Sequence, residues 1–234
     1  MTGIAAVDRR RRCRGTTAQP KDRRMNLARL SMNAPVVAAI YEKAWRPAIF
    51  YLATGRTTAA DRRYAAAALR LGGEQRVLDL ACGPGNFTRF LGERLSGGGY
   101  AVGVDYSEPM LARAVVDNTG PRVGYLRGDA RELPFADASF DAVACFGALY
   151  LIPDPLAATA EMVRVLAPGG RIAITTSHHA DNLVGHASRF GGGLLGLRVF
   201  DEHTFPDLFA ELGLVEIEQR VHRTFQYLSA TRPR

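Results

Sequence analysis

The residues best placed to do chemistry are two glycines and a carboxylate downstream of them. Residues 77–88 read VLDLACGPGNFT, an apolar strand that runs straight into a glycine-containing turn and then a helix. Gly83 and Gly85 lack Cβ atoms, so the backbone can turn sharply there and approach a ligand closely. The helix that follows presents N–H groups at its start, an arrangement suited to an anionic group. About 20 positions further on, the run YAVGVD ends in Asp105. A carboxylate at such a strand end accepts from both hydroxyls of a ribose, each bond to the charged acceptor contributing about 1.5–3 kcal/mol. It also disfavours a phosphorylated ribose.

A glycine turn alone is shared by many nucleotide sites and by purely structural turns, so its company decides what it means. A dinucleotide site uses GxGxxG, whose third glycine lets the helix pack close beneath the pyrophosphate. This chain instead has ACGPGN followed by Phe87 and Thr88, which argues against an NAD-dependent oxidoreductase. Residues 79–85 resemble the first motif of class I S-adenosylmethionine-dependent methyltransferases, and residues 105–111 (DYSEPML) resemble the second. Gly128-Asp129-Ala130 with the following ELPF is similar to the family's third-strand motif, SFDAV to the fourth strand and LAPGGR to the turn into the fifth. The matches occur in family order across about residues 75–177.

That resemblance implies a cofactor, S-adenosylmethionine, held by Asp79, Ala81, Gly83, Gly85, Asp105, Tyr106, Met110, Asp129, Ala130 and Phe146. In the family the third-strand acid meets the adenine amino group and the next backbone N–H meets the ring. The acid at the place of Asp79 often organises the loop more than it touches ligand. Ala81 stands where the family often has its first glycine, which tightens the space near the amino-acid end of the cofactor.

Methyl transfer from a sulfonium is an in-line displacement, so the protein needs chiefly to align the reactants in a dry pocket. A hydroxyl or acidic-carbon acceptor gains roughly 10²- to 10⁴-fold from a general base, and Tyr150, His178 and His179 are the candidates. The resemblance places acceptor contacts in the N-terminal helices and after the fifth strand, here Tyr41, Trp45, Tyr51 and residues 178–200. Their apolar, aromatic character favours a small, partly hydrophobic acceptor, as in the similar ubiquinone- and menaquinone-biosynthesis methyltransferases. Nucleic-acid methylation is disfavoured, because no Asn-Pro-Pro-Tyr type motif follows the fourth strand, where the chain reads CFGALYLIPDP. A catalytically silent cofactor-binding module is the remaining alternative, since it would carry the same motifs.

These residues need elements to position them. Residues 34–52 and 58–71 read as Ala-rich helices with apolar spacing, Pro47 breaking the first near Arg46. From residue 75, short β-branched runs alternate with helical ones, which predicts an α/β, Rossmann-like, mainly parallel sheet with helices on both faces. Residues 203–212 read as a further helix ended by Gly213, and LVEIEQRV with RTFQYLSA as a closing antiparallel pair, for seven strands in all. The glycine-rich stretch 178–199 breaks the rhythm and reads as a loop. The expected organisation is a basic tail over 1–24, an N-terminal helical segment or cap over 25–74 and the cofactor-binding domain over 75–234, the last two forming one structural unit.

Charge and composition narrow the class. With 47% apolar and 23% charged residues over 234 positions, the chain has the make-up of one folded domain. Of the net charge of +7, residues 1–24 carry +6, with eight basic side chains against Asp8 and Asp22, leaving the rest near neutrality. The basic cluster is thus a tail rather than a nucleic-acid-binding patch. It lacks the apolar run of a secretory signal, and no stretch reads as a membrane span. Cys13, Cys82 and Cys145 are too few and too far apart for a disulfide framework or a metal centre. A cytoplasmic protein is expected.

Overall fold

The computed structural model describes residues 46–179 and 198–234, with side chains from Phe50 onward. The proposed tail and the first part of the N-terminal helical segment lie outside them. Helix α1 (Arg46–Thr54) and helix α2 (Thr58–Ala68) come first. Pro47 is the second described residue of α1, and the stretch before it, where the sequence places a break near Arg46, lies outside the described residues. Thr57 caps α2, its hydroxyl accepting from the N–H of Ala60 at 3.2 Å.

Then come β1 (Arg76–Leu80), α3 (Asn86–Gly92), β2 (Tyr100–Asp105), α4 (Glu108–Asp117), β3 (Val123–Arg127), β4 (Phe140–Phe146), α5 (Pro155–Val165) and β5 (Leu166–Ser177). Helix α6 (Thr204–Glu211) leads into β6 (Val215–His222) and β7 (Phe225–Thr231). The seven strands lie in the order β3-β2-β1-β4-β5-β7-β6. All pairs from β3 to β5 are parallel, and β7 runs antiparallel to both β5 and β6. This is the expected Rossmann-like sheet with its antiparallel closing pair.

Alternation along β1 sends neighbours to opposite faces. Leu78 and Leu80 join a cluster with Met162, Ile174, Phe205 and Phe209, whereas Val77 joins one with Leu69, Phe90 and Leu91. The central strands are therefore apolar on both sides, as crossover helices require. Among the described residues, no helix is long and apolar enough to cross a membrane.

The order has one reversal that matters for function. From β1 the chain winds outward through β2 and β3, then returns to place β4 on the other side of β1. Connections diverge above the carboxyl ends of β1 and β4, which is where open α/β sheets form their ligand crevice.

Candidate functional site

Past Leu80 the chain leaves β1 through Ala81, which takes φ of 54°, followed by Gly83 at 55° and Gly85 at 81°. The Cys82 N–H donates to the Val104 carbonyl at 3.1 Å, binding the turn to β2, and the Gly85 N–H donates to the Cys82 carbonyl at 3.1 Å. Gly83 donates its N–H to Asp105 Oδ2 at 2.8 Å. With Pro84 lacking an N–H, the turn uses its donors within the protein and does not hold those of Gly83 and Gly85 out for an anion. α3 is also only seven residues long. A Cβ added at Gly83 would meet nothing within 4 Å, so any side chain there would fill the crevice.

Gly85 has a different reason to be glycine. A Cβ there would lie 2.3 Å from the Tyr125 hydroxyl oxygen, which itself donates to the Asn118 carbonyl at 2.7 Å. Gly85 therefore packs against β3 and does not line the crevice. Asp79 is likewise absent from the lining; it is 2% exposed and accepts from the Thr88 hydroxyl at 2.6 Å, joining β1 to α3.

Two other acids do face the crevice. Asp105 has Oδ2 on the Gly83 N–H and Oδ1 on the Ser107 N–H, each at 2.8 Å, so its carboxylate is fixed between the two loops. Burial pushes Asp105 above the ordinary carboxylate range, while the N–H groups of Ser107, Gly83 and Tyr106 pull the other way. Asp129 follows β3 and holds Arg131, whose Nη2 donates to Oδ2 at 2.6 Å and whose Nε donates to Oδ1 at 2.9 Å. Around them opens a cleft of about 180 Å³. Ala81, Gly83, Asp105, Tyr106, Met110, Asp129, Ala130 and Phe146 all line it. Of the ten expected cofactor residues, the fold thus gathers eight on one crevice.

At the other end the wall is apolar: Phe146, Gly147, Ala148, Leu151 and Ile152. Gly147 has φ of 69°, and a Cβ on it would stand 2.3 Å from Phe50 Cζ, so the Phe50 ring of α1 packs against this glycine without itself lining the cleft. Its neighbour Tyr51, an expected acceptor contact, is 52% exposed and does not line the cleft either. Tyr41 and Trp45 lie outside the described residues.

None of the three candidate bases lines this cleft. Tyr150 is buried in an aromatic cluster, edge-on to Phe225 with ring centroids 5.7 Å apart. His178 is buried after β5, with Nε2 3.8 Å from Glu202 Oε2, and the His179 N–H donates to the Phe200 carbonyl at 2.9 Å. Arg131 is the polar cleft residue that sequence reasoning missed, since no spacing marks an arginine two residues after an acid as its partner.

Residues 78–174 match the family described as methyltransferase domain. Among the described residues, every one lining the cleft falls within that stretch, whereas α1, α2, β6 and β7 lie outside it. The chain is 36% identical over 124 residues to a demethylmenaquinone methyltransferase of Lactiplantibacillus plantarum, covering 51% of this chain and 52% of that protein. It is 31% identical over 229 residues to an uncharacterized chloroplastic methyltransferase of Arabidopsis thaliana, covering 89% of this chain and 62% of the relative. The chain spans about half the length of the demethylmenaquinone methyltransferases it matches. Among solved structures, a Haemonchus contortus phosphoethanolamine N-methyltransferase in complex with S-adenosyl-L-methionine superposes with a TM-score of 0.69 at 18% identity. That likeness covers 86% of this chain and 58% of the other, and it concerns the fold alone.

Proposed function

We propose that the chain is an S-adenosylmethionine-dependent methyltransferase acting on a small, partly hydrophobic acceptor of quinone type. The observation that carries this reading is the convergence of Asp105, Asp129, Met110 and the Gly83 turn on one crevice at the sheet's topological switch point. A side chain at Gly83 would fill that crevice, so the residues present fit a ligand laid along the strand ends. When bound, the cofactor supplies an electrophilic methyl group on a sulfonium.

The chain's own groups then have distinct tasks. Asp105, held by two backbone N–H groups, accepts from the ribose hydroxyls; Asp129 accepts from the adenine amino group, and the Ala130 N–H serves the ring. Met110, 3% exposed, packs beneath the base, and Ala81 narrows the turn beside the amino-acid end. Phe146, Gly147, Leu151 and Ile152 exclude water from the far end, where alignment rather than a protein nucleophile provides the acceleration. The apolar wall and the quinone-methylating relatives support the acceptor class. Free Cys82 and Cys145 are compatible with a reducing cytoplasm.

Calorimetry with S-adenosylmethionine, S-adenosylhomocysteine and NADH tests the cofactor: binding of the first two and not the third is expected, and binding of NADH alone would end the proposal. An acceptor screen read by S-adenosylhomocysteine release, divided between short-chain naphthoquinols and RNA, tests the substrate. Turnover confined to RNA would overturn the acceptor class, and absence of turnover with every acceptor would favour a silent module.

A further inference from the structure

Asp129 and Arg131 form an unusually complete contact for residues two apart. The carboxylate receives three different donors from one residue: the Arg131 backbone N–H on Oδ1 at 2.9 Å, Nε on Oδ1 at 2.9 Å and on Oδ2 at 3.3 Å, and Nη2 on Oδ2 at 2.6 Å. A two-point guanidinium fork fixes the plane of a carboxylate as well as its position, which a point charge does not. The backbone supports the same geometry, since the Glu132 N–H donates to the Asp129 carbonyl at 3.1 Å and the Gly128 N–H to the Asp105 carbonyl at 3.1 Å. Both side chains line the cleft. Arg131 also lies in the field of Asp154, which caps α5, and of Tyr106 in the loop after β2.

We infer that Arg131 is a positioning residue that makes the site select a 6-amino purine over a 6-oxo purine, by locking the Asp129 carboxylate toward the base edge. The inference rests on the cofactor reading given above. The side chains are 44% and 34% exposed, so the pair adds little to stability; its effect falls on orientation. Held in plane, the carboxylate only accepts, which suits an amino group and sets oxygen against oxygen when the base carries a 6-oxo group. Without the guanidinium, the carboxylate keeps the Arg131 backbone N–H but loses the two-point fork that sets its plane, and Asp129 then discriminates less sharply.

The test measures dissociation constants of S-adenosylhomocysteine and its 6-oxo counterpart, S-inosylhomocysteine, on the full chain and on Arg131→Ala and Arg131→Lys. The wild-type chain should prefer the adenosyl compound by at least about tenfold, as expected when a base edge must be matched by a fixed acceptor. In Arg131→Ala that ratio should fall by about threefold or more with the melting temperature unchanged, and Arg131→Lys, which restores charge without the fork, should recover only part of it. An unaltered ratio in Arg131→Ala, in a chain that still binds S-adenosylhomocysteine, would overturn the role of Arg131 and leave the cofactor reading standing. If the wild-type chain bound neither compound, the cofactor reading itself would fall, and the inference with it. Should Arg131→Ala melt early, Arg131→Lys decides alone: a ratio equal to wild type would overturn the need for a fork.

Discussion

At the scale of single residues, Asp105 at the end of β2 and Ala81 on the β1 turn carry opposite lessons. Asp105 was legible because an acid ending the second strand has few other reasons to stand there; its two backbone donors were not, because Gly83 and Ser107 come from two loops whose closure no sequence pattern states. Replacing Asp105 with Ala should weaken S-adenosylhomocysteine binding by at least about 1.5 kcal/mol, the low end for a bond to a charged acceptor, as read by calorimetry. Because burial raises its pKa, affinity should also begin to fall on acidification at a higher pH than an ordinary aspartate would give. Ala81 shows the reverse case. Its φ of 54° places a side chain in the left-handed region, which costs about 1–2 kcal/mol. Ala81→Gly removes that strain but loosens the unfolded chain, so chemical denaturation should report a net gain of about 0.5–1 kcal/mol.

At the scale of elements, the N-terminal helices are fastened to the far end of the sheet by polar contacts. The end of α1 is bound by Thr224, whose N–H and hydroxyl both donate to the Ala53 carbonyl, at 3.2 and 3.0 Å. On α2, Asp61 accepts from the Tyr227 hydroxyl at 2.9 Å and from Arg56 Nε at 3.2 Å, and Arg56 Nη1 lies 3.4 Å from His222 Nε2. Burial, then Arg56 and more weakly Arg220, push the His222 pKa below 6.5, with Asp61 opposing them. The unfolded chain therefore binds the extra proton between 6.5 and the lower folded value, so stability should decline as pH falls through that window and level off beneath it. His222→Gln should melt with a shallower pH dependence than wild type between pH 7.5 and 5; parallel curves would exclude this group.

Gly85 joins another pair of elements. Gly85→Ala, which sets a methyl group against the Tyr125 hydroxyl at a φ of 81°, should cost about 2 kcal/mol or more by denaturation. Strands and crossover helices were readable in advance because β-branched runs alternate with 3.6-residue periodicity. Pro47 was ambiguous, since a proline serves equally to end one helix or to open the next. Phe50 was hidden for a related reason: with aromatic residues at both 50 and 51, helical phase alone does not say which ring turns inward.

At the scale of the molecule, two apolar layers share one sheet, and β1 contributes to both. Leu78→Ala, at a fully buried position, should lower stability by about 2–5 kcal/mol while the melting curve keeps a single transition. The order of strands in space also differs from their order in the chain. β7 lies between β5 and β6 although it follows both in sequence, and it alone covers the outer edge of β5. On the ribosome, a nascent chain that has completed β5 at Ser177 displays a bare ladder of amides and carbonyls until Phe225 has been added. That interval is when the growing polypeptide is most exposed to edge-to-edge association, and when a holding chaperone would matter most.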